Sequence, residues 1–263
     1  MEYLHEKLQA IINHSSENEV YKYIAKVIIE NLPNIDKFTI EHIAQLSFTS
    51  ISTVSRFIKL LGFNNFIEFR QDFKHYDISR MLQINDVRGG FSVKNHKEVN
   101  FYIDNLIASL QSLKDNIDFE KIDKINELIH NSKNIAISGS LFPASIAQFY
   151  QIYLLYIGKY IAFYNFFEPI DRASIDNIDL FIFFSVEGNF INAHKEVLLS
   201  LKLENKKLVL LTQNPKIFIS SIFDEILYLG EHENVKSGNY KLLLYSEILL
   251  SRYCEKYLSK SVF

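Results

Sequence analysis

The tightest local constraint on this chain lies between residues 50 and 62, where apolar side chains recur at helical spacing. Four apolar residues occupy positions i, i+3, i+4 and i+7 of this segment: Val54, Phe57, Ile58 and Leu61. Such spacing gives a helix one apolar face, which must be buried. Ser50 is a favourable N-cap and Gly62 is a favourable C-terminal stop, so the segment predicts a short helix between them.

The opposite side of this predicted helix is polar and basic. It carries Ser52, Ser55, Arg56 and Lys59. A second short amphipathic segment begins at Thr39 and leads into it through a tight turn. Two interpretations agree with the periodicity: a helical hairpin in the core of an all-α domain, or a helix-turn-helix that presents its polar side to the major groove of DNA.

Three blocks of sequence in this region resemble the helix-turn-helix of the RpiR family of bacterial transcription regulators. The blocks are residues 39–44 (TIEHIA), 50–57 (SISTVSRF) and 61–70 (LGFNNFIEFR). The resemblance implies that the second helix docks in the major groove, with these residues in contact with DNA: Thr39, Ser50, Ser52, Thr53, Ser55, Arg56 and Lys59. The family usually has glycine in the turn, where this chain has Phe48. A left-handed Phe48 would cost roughly 1–2 kcal/mol.

The composition is that of a globular protein with a substantial core. The chain has 263 residues, of which 48% are hydrophobic and 22% charged, enough for two domains of ordinary size. The single cysteine, Cys254, excludes an intramolecular disulfide, and we expect it to be a packing residue in a cytoplasmic protein. The most apolar stretch, residues 149–167, is interrupted by polar residues and glycine. It predicts a buried helix and a strand, with no membrane partner.

The charge distribution bears on how the chain would bind DNA. A formal net charge of −3 argues against a protein that coats nucleic acid over its whole surface. Residues 51–80 nevertheless contain five basic and three acidic side chains, a weak local excess of positive charge. One subunit with this excess would bind DNA poorly, whereas two subunits double the phosphate contacts. We therefore expect a homodimer or a dimer of dimers that reads a palindromic operator.

The periodicity divides the chain into three parts. Residues 1–80 predict an all-α helix-turn-helix domain, residues 81–97 a linker, and residues 98–263 an α/β domain. In the α/β part, five β-rich runs alternate with helical segments: residues 134–138, 160–164, 180–185, 207–212 and 225–229. Helices are expected at residues 99–113, 119–129, 143–157, 192–203 and 240–258, the last of them buried against the sheet, a second subunit, or both. This alternation predicts a doubly wound, mostly parallel five-stranded sheet.

Ligands of such sheets bind at the carboxyl ends of the strands, where loops lead into helix N-termini. The residues expected there are Gly139, Ser140, Ser185, Glu187, Gly188, Asn189 and Thr212. The layout resembles the sugar isomerase (SIS) domain, which binds phosphosugars and forms the C-terminal half of RpiR-type regulators. The resemblance implies a sugar phosphate or an amino sugar as effector. The sequence contains no metal-ligand spacing and no phosphate-binding P-loop, and we expect neither a metal nor a cofactor.

Two loops depart from the SIS pattern. After the central strand the family typically reads Ser-x-Ser-Gly-x-Thr, where this chain has SVEGNF at residues 185–190, with Glu187 in place of the second Ser. The first loop has Leu141 and Pro143 where the family prefers Gly and Ser. A carboxylate 4 Å from a phosphate charge costs about 4 kcal/mol at an effective dielectric near 20. Three interpretations stay open: the loop points away from a bound phosphosugar, Glu187 pairs with the amine of an amino sugar, or the domain only dimerises.

A sugar-phosphate isomerase is the alternative function, because SIS isomerases need a base and a ring-opening acid. The side chains available for these roles are His194, Glu231 and His232. We expect these to be ordinary loop or surface residues, so no catalytic residue is assigned. A DNA-reading domain attached to an altered phosphate loop favours a transcription regulator that is not an enzyme.

Overall fold

The computed structural model describes residues 4–13, 19–73, 95–114, 116–164, 175–233 and 235–258. The chain forms two compact units, residues 1–85 and 86–263, each with its own hydrophobic core. Most of the expected linker, residues 81–94, lies outside the described residues, whereas residues 95–97 belong to the beginning of a helix.

The N-terminal unit is all-α. Its helices are α1 (Leu4–Asn13), α2 (Glu19–Glu30), α3 (Ile40–Leu46), α4 (Ile51–Leu60) and α5 (Phe66–Asp72), with a 3-10 helix at Leu32–Lys37. The apolar stripe predicted on α4 is confirmed, because Val54, Phe57 and Ile58 are completely buried. Ile24 of α2 and Ile43 of α3 belong to the same core. The stripe therefore fixes which side of α4 faces inward.

Side-chain caps begin both helices of the predicted pair. The hydroxyl oxygen of Thr39 accepts a hydrogen bond from the backbone N–H of His42, and that of Ser50 accepts one from Thr53, each at 3.2 Å. Each cap satisfies a donor that has no partner within its own helix, which is typically worth about 1 kcal/mol. The N-cap predicted at Ser50 is confirmed.

The turn between α3 and α4 keeps a tight geometry without glycine. The N–H of Thr49 donates to the carbonyl of Ala44, and the N–H of Phe48 donates to that of Gln45, which is the Schellman pattern of a helix end. This pattern requires a left-handed residue, and Phe48 supplies it with φ 52°. At the end of α4 the corresponding residue is Gly62, with φ 95°. Phe48 thus adopts the strained conformation considered from the sequence.

The C-terminal unit contains a five-stranded parallel sheet with the order β2-β1-β3-β4-β5. The strands are β1 (Ile135–Gly139), β2 (Ile161–Phe163), β3 (Leu180–Phe184), β4 (Lys207–Thr212) and β5 (Glu225–Tyr228). The helices are α6 (His96–Leu113), α7 (Phe119–Asn131), α8 (Phe142–Tyr156), α9 (Asn189–Ala193), α10 (Lys195–Leu203) and α11 (Val235–Tyr257), with a 3-10 helix at Ser220–Ile222. Alternate residues of β3 enter two apolar clusters, so both faces of the sheet are covered. The predicted fold class is confirmed.

Three of the expected helices begin three or more residues away from their predicted starts, and the other two differ from their predicted bounds by no more than two residues. The first, α6, begins at His96 rather than at residue 99, because Asn95 caps it by accepting a hydrogen bond from the N–H of Glu98 at 3.1 Å. The segment expected as one helix over residues 192–203 is two helices, α9 and α10, that meet at His194. The last helix, α11, begins at Val235 rather than at residue 240.

The 23-residue helix α11 closes one side of the sheet. Its Leu242 and Leu249 share a core with Val209 and Leu211 of β4, which confirms the expected burial against the sheet. Among the described helices, none combines the length and the apolar character needed to cross a membrane.

Replacing the strained turn residue should stabilise the protein. We expect Phe48→Gly to raise the free energy of unfolding of the N-terminal unit by about 1 kcal/mol, because relief of the left-handed strain exceeds the added chain entropy of glycine. Urea denaturation of the full chain, followed by circular dichroism, measures the change. Gly62→Ala is the matched control and should destabilise, since its Cβ would lie in a left-handed position 2.7 Å from the Nζ of Lys7. A lower stability of Phe48→Gly would contradict the strain assigned to the turn.

Candidate nucleic-acid interface and ligand site

The outer side of α4 is the surface that the helix-turn-helix offers to a partner. We define the reader surface as Ser52, Ser55, Arg56 and Lys59, which lie on the side of α4 away from its buried stripe. Ser52, Arg56 and Lys59 are exposed, and Ser55 is half-buried. The side chains of Arg56 and Lys59 form no hydrogen bond or ion pair with any residue that the structure describes. Both cations are therefore available to phosphate or to base edges.

A group of hydroxyls surrounds the N-terminus of α4. The hydroxyl oxygen of Ser50 lies 2.8 Å from that of Ser52 and 2.8 Å from that of Thr53. Thr39 occupies the corresponding position at the N-terminus of α3 and is exposed. The structure thus places five of the residues expected at DNA on α4 and the other two, Thr39 and Ser50, at the caps of α3 and α4. Hydroxyls at helix N-termini are common phosphate ligands.

A contact that the sequence did not indicate holds the other end of α4. The Nζ of Lys7, on α1, donates to the carbonyl of Leu61 at 2.8 Å. A cation at a helix C-terminus also interacts favourably with the helix dipole. Burial lowers the pKa of Lys7 from its ordinary value. Lys7 and Leu61 are far apart in the sequence, and a lysine that binds a backbone carbonyl leaves no pattern from which the pairing could be predicted.

In the C-terminal unit, the expected ligand residues come together at one edge of the sheet. The loops after β1, β3 and β4 lie side by side, because these three strands are neighbours. The strand order reverses direction between β1 and β3, which is the position where sheets of this kind form a ligand crevice. Gly139 ends β1 there, and a Cβ on it would lie 3.0 Å from the carbonyl oxygen of Phe184, at the end of β3. The backbones therefore approach closely at this point.

The loop after β1 has a strained backbone, and a proline removes one of the backbone N–H donors at the helix that follows. Leu141 has φ 56° and ψ −128°, a conformation that favours glycine. Pro143 has no N–H, and the N–H of Ala144 already donates to the carbonyl of Leu141 at 3.1 Å. The first turn of α8 consequently offers fewer backbone donors to an anion than most helix N-termini do. Ser140, beside it, is half-buried.

Glu187 is held firmly in the loop after β3. Its Oε1 accepts a hydrogen bond from the Nε2 of Gln213 at 2.7 Å, and its Oε2 lies 2.9 Å from the Nε2 of His232. The Nδ2 of Asn214 donates to its backbone carbonyl at 2.8 Å. These partners belong to the loops after β4 and β5, so the carboxylate is directed to the β4–β5 side of its own strand rather than to β1. Both neighbouring loops therefore hold the Glu187 carboxylate in place.

The remaining expected ligand residues differ in what they can offer. The hydroxyl of Thr212 donates to the carbonyl of Val186 at 2.9 Å and is completely buried, so we expect Thr212 to support the loop rather than to contact a ligand. Ser185 is buried at the end of β3. Gly188 has φ 77°, and a Cβ on it would clash with Ile217, so this position needs glycine. Asn189 is exposed at the start of α9.

A buried lysine anchors the loop that carries His232. Lys241, on α11, has no exposed side-chain surface, and its Nζ lies 3.0 Å from a carboxylate oxygen of Glu233 and donates to the carbonyl of Glu231 at 3.0 Å. The Nε2 of Gln213 also donates to the carbonyl of Glu233, at 3.1 Å. The loops after β3, β4 and β5 and the start of α11 are thus joined in one polar network. Sequence reasoning missed Lys241 because its neighbours in the chain are those of an ordinary helix.

The candidate acid and base side chains do not all meet. His232 is paired with Glu187, whereas His194 lies at the junction of α9 and α10 with its ring 4.8 Å from that of Phe190. Burial lowers the pKa of His194. Glu231 is exposed and takes part in the network through its backbone carbonyl. Among the described residues, no three or more His, Cys, Asp or Glu side chains converge in a way that would hold a metal ion.

The geometry of α3, its turn and α4 defines a helix-turn-helix domain. Residues 2–79 match the family model described as the helix-turn-helix domain of the rpiR family. The N-terminal unit is therefore similar to the helix-turn-helix domains of the rpiR family. No curated protein sequence matches the chain.

Several solved structures are similar to this chain at low sequence identity. The Vibrio vulnificus NanR protein complexed with ManNAc-6P is 19% identical, over 97% of this chain and 92% of that one, with a TM-score of 0.48. The sugar isomerase domain of an RpiR transcription factor from Sphaerobacter thermophilus is 19% identical over 60% and 88%, with a TM-score of 0.46. A hypothetical protein is 15% identical over 63% and 93%, and its TM-score of 0.52 supports the assigned α/β fold.

Proposed function

We propose that this protein is a transcription regulator that binds operator DNA through α4. The observation that carries the proposal is the division of α4 into a fully buried apolar side and a reader surface with two cations that have no side-chain partner among the described residues. A helix of this kind, capped at Ser50 and packed on α3, is suited to place its N-terminal residues against base edges in the major groove. Thr39 and Ser50 would then contact the phosphate backbone.

Two subunits are needed for useful affinity in this proposal. The reader surface contributes Arg56 and Lys59, and a net charge of −3 gives the rest of the chain little attraction for DNA. Since affinity grows with the number of phosphates neutralised, pairing two reader surfaces on a palindrome supplies the missing contacts. We infer a homodimer or a dimer of dimers, with the α/β unit as ligand sensor. Binding of an effector would then change the geometry of the dimer on DNA.

We further propose that the effector is a small sugar derivative that binds at the crevice between the loops after β1 and β3. The position of the crevice in the sheet and the close backbone approach at Gly139 support this site. Ser140 directly follows β1 and Ser185 directly follows β3, so their hydroxyls belong to the two loops that form the crevice. Gly188 lies further along the loop after β3, and Asn189 begins α9. The contacts of Glu187 direct its carboxylate toward the loops after β4 and β5. A phosphosugar bound on the β1 side would therefore meet less repulsion than the sequence suggested.

A sugar-phosphate isomerase is the second candidate, and the pairing of Glu187 with His232 is the observation in its favour. A carboxylate and an imidazole 2.9 Å apart are able to transfer protons to and from a sugar. The two functions separate in a direct assay. A regulator retards genomic DNA fragments in a gel and leaves sugar phosphates unconverted, whereas an isomerase converts the sugars and does not retard the DNA.

Arg56→Ala tests the reader surface. Binding to DNA selected from genomic fragments should weaken about tenfold, and the slope of log affinity against log salt should fall by about 0.9 for each phosphate that the variant no longer neutralises. Gel shifts at several salt concentrations measure both quantities. Lys26→Ala, an exposed position on α2, removes the same charge elsewhere in the unit and should have a smaller effect. Equal effects of the two substitutions, or none from Arg56→Ala, would remove Arg56 from the interface.

Glu187→Gln tests the charge at the ligand site. Titration calorimetry with glucose 6-phosphate, glucosamine and glucosamine 6-phosphate compares the parent and the variant. If residual repulsion acts on the phosphate, the variant should bind the sugar phosphates about tenfold more tightly, since a single charge beside the site is removed. If Glu187 instead pairs with an amine, the variant should lose affinity for glucosamine. Glu204→Gln, an exposed carboxylate at the end of α10, is the control and should change neither.

Equal binding of every sugar phosphate by the parent and by Glu187→Gln would show that the carboxylate does not act on the ligand. The absence of binding by both proteins, over the whole panel, would favour an α/β unit that only dimerises.

A further inference from the structure

Three exposed apolar side chains surround the turn that leads into α4. Leu46 is 40% exposed, Ile51 is 47% exposed and Phe48 is 95% exposed. Leu46 ends α3, Phe48 is the left-handed residue of the turn, and Ile51 is the first residue of α4. We call Phe48 and Ile51 the apolar tip.

The strained residue Phe48 does not pack against the core of the N-terminal unit. Its side chain is almost entirely exposed, and it is not among the residues of the apolar core. Its backbone is held at φ 52° by the hydrogen bonds that end α3, a conformation in which glycine is free of steric cost. Neither burial nor backbone preference within the described unit accounts for a phenylalanine at this position. A partner that touches the exposed ring would account for it.

The place of the apolar tip in the fold indicates which partner this is. The tip adjoins Ser50, the cap of α4, whose hydroxyl is 2.8 Å from that of Ser52 on the reader surface. A recognition helix contacts base edges with its N-terminal residues, so the N-terminus of α4 is the end that approaches the groove. The apolar tip is therefore continuous with the proposed DNA-reading surface. Burying it against another protein would also bury these hydroxyls.

The major groove offers one apolar group to such a tip. The 5-methyl group of thymine projects into the groove, and side chains such as Phe recognise it by direct contact. We propose that Phe48 and Ile51 contact thymine methyl groups and so specify A·T base pairs in each operator half-site. This inference rests on the proposed function, because it requires α4 to dock on DNA. It adds a specificity element that the hydroxyls and cations of the reader surface do not supply.

Uracil substitution tests the inference without changing the base pairing. DNA bound by the full chain is first selected from genomic fragments, and each thymine of the selected site is then replaced in turn by deoxyuridine, which lacks only the methyl group. At one or more positions we expect affinity to fall about fourfold, the change that corresponds to burial of a single methyl group. At those positions the Phe48→Gly, Ile51→Ala double variant should bind the thymine and uracil forms equally.

The controls distinguish removal of the methyl-binding side chains from misfolding of the protein. Phe48→Gly suits the left-handed turn, so the variant should fold, as circular dichroism would verify. Leu60→Ala removes an exposed apolar side chain at the far end of α4 and should keep full sensitivity to uracil. Sedimentation at matched concentrations then compares the oligomeric state of the parent with that of the double variant.

Four results would overturn the inference. One is DNA selection that succeeds with no effect of uracil at any position, which leaves the proposed function intact. Another is a double variant that retains the uracil effect. A third is a double variant that loses its oligomeric state, which would show that the tip serves protein contact. The last is failure to select any DNA, which overturns the proposed function and this inference with it.

Discussion

Burial of the apolar stripe on α4 is the constraint on which the DNA-reading side of this protein depends. Val54, Phe57 and Ile58 are completely buried, and each such side chain is worth about 1.5–3 kcal/mol relative to exposure. If α4 were turned about its own axis by one residue position, part of this stripe would be exposed and Arg56 would move toward the core. The stripe therefore sets the orientation of the reader surface more strongly than any polar contact on that surface does.

The second unit depends on a different constraint, which is the order of its parallel strands. That order brings the loops after β1, β3 and β4 to one edge, and the network around Glu187 then joins them to the loop after β5. Lys241 extends the network to α11, the long helix that covers one side of the sheet. Glu187, its partners and the start of α11 are therefore connected through polar contacts.

Local patterns in the sequence were sufficient to predict most helices and strands and their order along the chain. The cap at Ser50, the stripe of α4 and the five strands each depend on residues close together in the chain, and all are confirmed. The break at His194 was missed, because the apolar spacing continues through it. The early start of α6 was missed although Asn95 is a good cap, since the polar segment before it has no periodicity. Local chemistry therefore predicts where elements lie better than where they begin.

Contacts between distant residues could not be predicted. Nothing near Glu187 indicates that its partners would be Gln213 and His232, and nothing near Lys7 indicates the carbonyl of Leu61. The candidate ligand residues lie at the edge of the sheet to which the rule for parallel strands assigns them, and their contact with a ligand stays a prediction, because the role of each hydroxyl depends on contacts between distant residues. Thr212 illustrates this, because its expected ligand hydroxyl donates to Val186 instead.

In the proposed complex the outer side of α4 lies against DNA, and site-specific labelling probes this contact at a single residue. In a Cys254→Ser background, Ser52→Cys is treated with a maleimide in the presence and absence of the selected DNA, and Glu204→Cys in the α/β unit is the control. If α4 docks on DNA, bound DNA should slow labelling at position 52 many-fold and leave labelling at position 204 unchanged. Equal rates at position 52 with and without bound DNA would contradict it.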